Sequence, residues 1–272
     1  MQRTLKCAVA ALALIIPLAG ATVQAQTAYE TLTTYLADND MDLPDIMTGW
    51  ALMPPDVFAN HADYFVIDVR SDSLYKAGHV PGAVRSSYPN LLTTAKQAGD
   101  KPILVVCKTG QGAATAMVAL RLSGYPDAKV AIFGMSIWNG VFDVWSSHTS
   151  DTAIGHANWN TDAAATPQTF SDPTITTSET DSAAILAERV QLLLENGPQM
   201  VGGLAVLENP TDYFVNVYWP ADTLAKYGHI AGAYNIVGTL NIADGGLSNL
   251  DPSETIVTYC YTGQAGAVVT AY

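Results

Sequence analysis

The chain has 272 residues, with 12 basic against 25 acidic side chains, a formal net charge of -13, 49% apolar residues and 14% charged ones. That acidic balance argues against a nucleic-acid binder, which needs Lys and Arg to neutralise phosphates, and disfavours an anionic membrane surface. The apolar content argues for a folded chain over a disordered one, and the length corresponds to one or two domains.

Residues 1–25 have the build of a secretory signal. Arg3 and Lys6 stand at the start, 8–20 is apolar, and Val23-Gln24-Ala25 is a small-x-small cleavage site. An apolar run of that length is too short to span a bilayer. Cys7 precedes the run, the wrong place for a lipid-anchored cysteine. A periplasmic or secreted protein with no membrane anchor is therefore expected, and removal of 25 of the 272 residues leaves 247. Loss of two of the 12 basic residues and none of the 25 acidic ones leaves a net charge of -15. Only Cys107 and Cys260 remain of three cysteines, so one disulfide at most is available and the fold must rest on its apolar core.

In chain order, 64–69 is a short β-rich apolar run, and 103–106, bounded by Pro102 and Gly110, is a second without charge. Continuous apolar strands of this kind suit a parallel sheet covered on both faces. Ala, Met, Val and Leu at helical spacing predict a helix over 112–122, which Gly124 stops. A further strand is expected over 129–133. The Thr-, Ala-, Asp- and Ser-rich stretch 147–180 reads as a linker. An amphipathic helix over 185–195 opens the second part of the chain.

That second part repeats the first. Asp63-Tyr64-Phe65-Val66 recurs as Asp212-Tyr213-Phe214-Val215, offset by 149. Lys76-Ala77-Gly78-His79-Val80-Pro81-Gly82-Ala83 recurs as Lys226-Tyr227-Gly228-His229-Ile230-Ala231-Gly232-Ala233, offset by 150. Cys107-Lys108-Thr109-Gly110-Gln111 recurs as Cys260-Tyr261-Thr262-Gly263-Gln264, offset by 153. Order and spacing are kept across three blocks, which chance similarity does not achieve. The expected organisation is an α/β protein with a first domain over 26–146, a linker over 147–180 and a second domain over 181–272. Only 12 residues follow Cys260, so the second domain is expected to be incomplete.

Cys107 stands where a buried strand gives way to a helix. Gly110 and Gly112 let the backbone curl so that successive N–H groups aim inward, and the helix start carries partial positive charge. Thr109 offers a hydroxyl and Lys108 an ammonium. Such surroundings lower a thiol pKa from about 8.5 into the range of about 3.5–7.5. A reactive thiolate is therefore expected at Cys107, and at Cys260 if its own helix supports it.

Two look-alikes fail on residues. Gly110-x-Gly112 before a helix has Thr115 where a dinucleotide fingerprint needs its third glycine. A cysteine phosphatase loop needs a guanidinium on its anion, and the first arginine after Cys107 is Arg121. The histidines are scattered and form no metal-ligand spacing, so no metal or other cofactor is expected.

Asp68-Val69-Arg70, Gly78-His79-Val80-Pro81-Gly82-Ala83, Cys107-Lys108-Thr109-Gly110-Gln111-Gly112 and Trp138-Asn139, in that order, resemble a tandem rhodanese-homology protein. The resemblance implies two domains, each a parallel five-stranded sheet flanked by helices, the second truncated. It implies sulfur transfer, in which Cys107 takes a sulfane sulfur, holds it as a persulfide and passes it to a thiophilic acceptor. It places Cys107, and in the second copy Cys260, as nucleophiles, and Lys108, Thr109, Gly110, Gln111 and Gly112 as the anion-binding cradle. His79 and His229 fall in a structural turn, and Asp68 with Arg70 reads as an ion pair at a strand end. The partners implied are small inorganic sulfur compounds, polysulfide or thiosulfate, with a thiol or protein acceptor. The alternative is a non-enzymatic persulfide carrier serving a partner protein.

Overall fold

The structure, a computed structural model, describes residues 26–272; the expected signal segment 1–25 lies outside the described residues. Helix α1 (Ala28–Asp38) opens on a capping box between Thr27 and Glu30, and α2 (Leu43–Met47) on another between Asp42 and Asp45. There follow β1 (Ala51–Leu52), α3 (Pro54–Asn60), β2 (Phe65–Asp68), α4 (Asp72–Ala77), β3 (Val84–Arg85), α5 (Leu91–Ala95), β4 (Ile103–Val106), α6 (Gln111–Arg121) and β5 (Lys129–Ala131). The five strands form one sheet in the order β1-β5-β4-β2-β3, and every pair is parallel.

The central strands are apolar on both faces because both are covered. Ile67, Ile103, Val105 and Val130 meet α5 and α6 on one side, while Val66, Leu104, Val106 and Ala131 meet Val57, Val80 and Met135 on the other. Helix α6 is buried from Gly112 to Arg121. Its Met117, Val118 and Leu120 are fully enclosed, which contributes about 1.5–3 kcal/mol each. Its alanines let a second helix approach closely on the side away from the sheet.

Past β5, the segment 147–180 expected as a linker packs onto the second half. It supplies β6 (Trp159–Asn160), and Phe170 meets Phe214 edge to face. Next come α7 (Ser182–Asn196), capped by Asp181, then α8 (Gly203–Glu208), β7 (Phe214–Val217), α9 (Ala221–Tyr227), β8 (His229–Ile230), β9 (Ile256–Tyr259) and α10 (Gln264–Ala271). Strands β7 and β9 pair in parallel, in the register of β2 and β4 shifted along the chain. Local bonds repeat as well. Val69 N donates to Val106 O at 2.9 Å, and Tyr218 N to Tyr259 O at 2.8 Å.

The second half has a smaller sheet. Among the described residues its parallel ladder has two strands, extended by single bridges from Tyr234 to Asn216 and Ala165. No described residue stands where β5 stands in the first half. Met200 and Val201, which correspond in the repeat to β1, are exposed. The halves meet through α10 against α6 and α7 against α1 and α6. Among the described residues no helix is long and apolar enough to cross a membrane.

Candidate active site

The turn after β4 is held from two sides. Gly110, at φ 88°, caps α6 in the left-handed region that glycine tolerates, and so turns the chain back over the sulfur. On the outside, Met135 N donates to Cys107 O at 2.9 Å, and Ser136 N and Oγ donate to Lys108 O at 3.0 and 2.9 Å. Gly134, at φ 53°, lies so close that a Cβ there would run into the Cys107 carbonyl. These contacts come from the 133–136 turn, which the sequence reading did not single out.

Cys107 is 7% exposed. The Gly110 N–H donates to its Sγ at 3.1 Å, and the N–H groups of Thr109, Gly112 and Ala113 also act on it. The cradle expected from 108 to 112 is thus supplied by 109, 110, 112 and 113. The expectation of a lowered thiol pKa is corrected. Burial is the larger effect and pushes the Cys107 thiol up, while the four N–H groups pull it back only in part. A strand end enclosed by two helices and a second turn is drier than a loop sequence suggests.

Tyr88, in a short 3-10 turn over Tyr88–Asn90, is the titratable group facing this sulfur. A Cβ at Gly112 would meet both Tyr88 Oη, at 2.5 Å, and Cys107 Sγ, at 3.8 Å. Burial and the nearby thiolate charge raise the phenol above its ordinary value. It sits 19 residues before Cys107 with no motif to mark it.

The other expected cradle side chains turn elsewhere. Lys108 is exposed. The Thr109 hydroxyl reaches Gln111 Oε1 at 3.5 Å and not the sulfur. Gln111 Nε2 donates across the molecule to Thr262 O at 3.0 Å, so its side chain serves the contact between halves.

Cys260 ends β9 in the same manner but more openly. Gly263 caps α10 at φ 75°, and the Gly266 N–H donates to Sγ at 3.3 Å. Tyr261, in the place of Lys108, stacks on Trp219 with centroids 4.5 Å apart. The Thr262 hydroxyl donates to Gln264 Oε1, and Gln264 Nε2 donates to Thr109 O at 2.7 Å.

Asp68 and Arg70 form a buried pair at 2.6 Å, and the guanidinium also donates to Gly78 O at 2.7 Å. His79 stacks on Tyr75 with centroids 3.9 Å apart, its Nδ1 2.9 Å from Tyr75 O. His229 is buried on β8, and burial lowers its pKa. Neither histidine is hydrogen-bonded to a cysteine sulfur.

The model of the rhodanese-like domain matches residues 56–140, from α3 past the cysteine loop to the turn after Trp138. The chain is 31% identical over 84 residues to a thiosulfate sulfurtransferase GlpE of Pseudoalteromonas translucida, covering 29% of this chain and 77% of that protein. It is 29% identical over 93 residues to the one of Pseudomonas entomophila, covering 34% of this chain and 80% of that protein. Among solved structures it is similar to a rhodanese-related protein from Thermoplasma volcanium, with 24% identity, a TM-score of 0.30, and coverage of 32% of this chain and 88% of that one. By its sequence over 56–140, and by a Cys107 loop that lies within it, the chain belongs to the rhodanese-like family.

Proposed function

We propose that the protein is an exported sulfurtransferase built from two rhodanese-like copies, over 26–146 and 181–272, with Cys107 as its working thiol. Family membership supports sulfur transfer in general, and the thiosulfate sulfurtransferases to which the chain is similar act on sulfane sulfur. The observation that carries the reading is Cys107 Sγ at a strand end, enclosed by four backbone N–H groups.

The chemistry conserves atoms and electron pairs. Cys107 gives its proton to solvent, the thiolate attacks the outer sulfur of the donor, an S–S bond forms at Sγ, and the bond to the leaving group breaks. That group departs with the electron pair, as sulfite from thiosulfate or as a shortened polysulfide. A nucleophilic acceptor then takes the outer sulfur and returns Sγ as thiolate. The backbone N–H groups of 109, 110, 112 and 113 surround Sγ, where charge gathers as the sulfur is attacked and released. Lys108 is the one cation in the loop and its side chain is exposed, so the site offers little positive charge to a small anionic donor.

The deep burial of Cys107 favours a second reading, a persulfide carrier that gives up its sulfur only to a docked partner. Steady-state assay separates the two. Repeated turnover from polysulfide or thiosulfate to cyanide supports the enzyme; one sulfur released per Cys107 with no further turnover supports the carrier. Export is tested by the mass of the mature chain recovered from the cell envelope, expected to begin after Ala25.

A further inference from the structure

Gln264 opens α10 in the second half, yet its amide ends on the cysteine loop of the first. Its Nε2 donates to the Thr109 carbonyl at 2.7 Å. That carbonyl and the Gly110 N–H belong to one peptide group, and this N–H donates to Cys107 Sγ at 3.1 Å. We infer that Gln264 is a positioning residue for Cys107, acting through the 109–110 peptide group that lies between them.

Three observations support this. A carbonyl that accepts a hydrogen bond polarises its own amide, so the N–H opposite becomes the stronger donor. The orientation of Gln264 is determined, because its Oε1 accepts from the Thr262 hydroxyl and its Nε2 must then face Thr109. Its position is determined too: the side chain is buried, and a Cβ at Gly110 would lie 3.1 Å from Gln264 Cγ. Without that clamp, the peptide preceding the left-handed Gly110 would be free to rotate and take its N–H off the sulfur.

The mirror arrangement is incomplete. Gln111 Nε2 donates to Thr262 O, but the bond to Cys260 Sγ comes from Gly266 N and not from the peptide that Gln111 holds. The relay therefore ends on Cys107 alone.

Tyr88 faces Cys107, Lys108 follows it with an exposed side chain, and Arg121 lies at the far end of α6 on the carbonyls of Ile46, Thr48 and Ala128. Helix α7, packed on α6 and on the Tyr88 turn, carries Glu188, Arg189 and Glu195, but burial and backbone N–H groups are what act on the thiol. Strand β4, the 132–136 turn and α10 contribute none. A change in Cys107 titration on altering Gln264 would thus report on the amide relay.

The inference deepens the reading of Cys107 as the reactive thiol, but its test needs no sulfur substrate. The reduced full chain is alkylated with iodoacetamide across a pH series, and both cysteine peptides are quantified by mass spectrometry. In Gln264→Met the apparent pKa of Cys107 is expected to rise by about half a unit, or about threefold slower alkylation at a fixed lower pH. Cys260 in the same molecules should move less. Gln264→Leu removes the donor without adding charge and should move Cys107 to a similar extent. An unmoved Cys107 in either folded variant, or equal shifts at both cysteines, overturns the inference. Loss of sulfur loading in the unaltered protein would overturn the proposed function and leave this titration to stand on its own.

Discussion

The Tyr88 hydroxyl stands over the Cα of Gly112, so that a methyl group added at 112 would lie 2.5 Å from it and 3.8 Å from Cys107 Sγ. The space above the thiol is therefore set by a tyrosine and a glycine together. Gly112→Ala is expected to destabilise the chain by about 1–3 kcal/mol through overpacking. It should also slow Cys107 loading by roughly tenfold or more, because the Gly112 N–H and the Tyr88 ring are displaced from the sulfur. Adding Tyr88→Phe removes the obstructing oxygen and should return part of the stability. Urea unfolding of the single and double variants reads this; a double variant no better than Gly112→Ala alone would show that the hydroxyl is not the obstacle.

The Asp68–Arg70 pair has no counterpart in the second half, where Val217 and Trp219 stand at the corresponding positions. A buried ion pair is hard to take apart one partner at a time. Asp68→Val is expected to cost about 3–5 kcal/mol, because Arg70 is left enclosed with only Gly78 O to bind. Asp68→Val with Arg70→Trp should cost clearly less than the two single changes added together. Strict additivity in that cycle would contradict the description.

Burial of Cys107 makes a pH prediction whose sign is fixed. A thiol whose pKa is higher folded than unfolded stays protonated in the native state while the unfolded chain begins to ionise. Its contribution to stability is therefore fully present below the ordinary thiol value of about 8.5 and is lost as pH rises from there through the folded value. Stability of the unaltered protein should fall more steeply over that interval than stability of Cys107→Ala. Alkylation of Cys107 should lag that of a model thiol at the same pH. Equal stability slopes, or a Cys107 that reacts faster than a model thiol below pH 8, would contradict the account.

Asp42 ties the two halves together from the start of α2. Its carboxylate accepts from Ile242 N at 2.9 Å, Ala243 N at 3.1 Å and the Tyr272 hydroxyl at 3.1 Å, besides capping α2 through Leu43 N at 2.7 Å. Asp42→Ala is expected to cost about 2–4 kcal/mol, combining a lost cap with buried N–H groups left unpaired. Tyr272→Phe, which removes one of these bonds, should cost about 1 kcal/mol. Thermal unfolding of both variants checks the ranking.

Much of the first half was legible in the sequence because its signals are local. The run 103–106 is β4 to the residue, and the helix expected over 112–122 is α6 over Gln111–Arg121. The strand expected over 64–69 is β2 over Phe65–Asp68. Glycine at 110 marked the turn because only a left-handed residue brings its own N–H back over Cys107. The site's remaining parts come from elsewhere in the chain. Tyr88 and Gly134 reach the cysteine through tertiary packing, and the crossed bonds of Gln111 and Gln264 appear only once α6 lies on α10. The thiol's raised pKa was not legible for the same reason, since four N–H donors can be inferred from a loop whereas burial is decided by everything packed around it. The segment 147–180 looked like a linker by composition, yet Trp159 and Phe170 pack onto the second half.

The central claim is that Cys107 carries sulfane sulfur, and intact mass of the reduced protein after exposure to polysulfide tests it most directly. The account predicts one added sulfur, mapped to the peptide containing Cys107, removed by cyanide and absent from Cys107→Ser. A folded, reduced protein that gains no sulfur at Cys107, or gains it equally in Cys107→Ser, would contradict it.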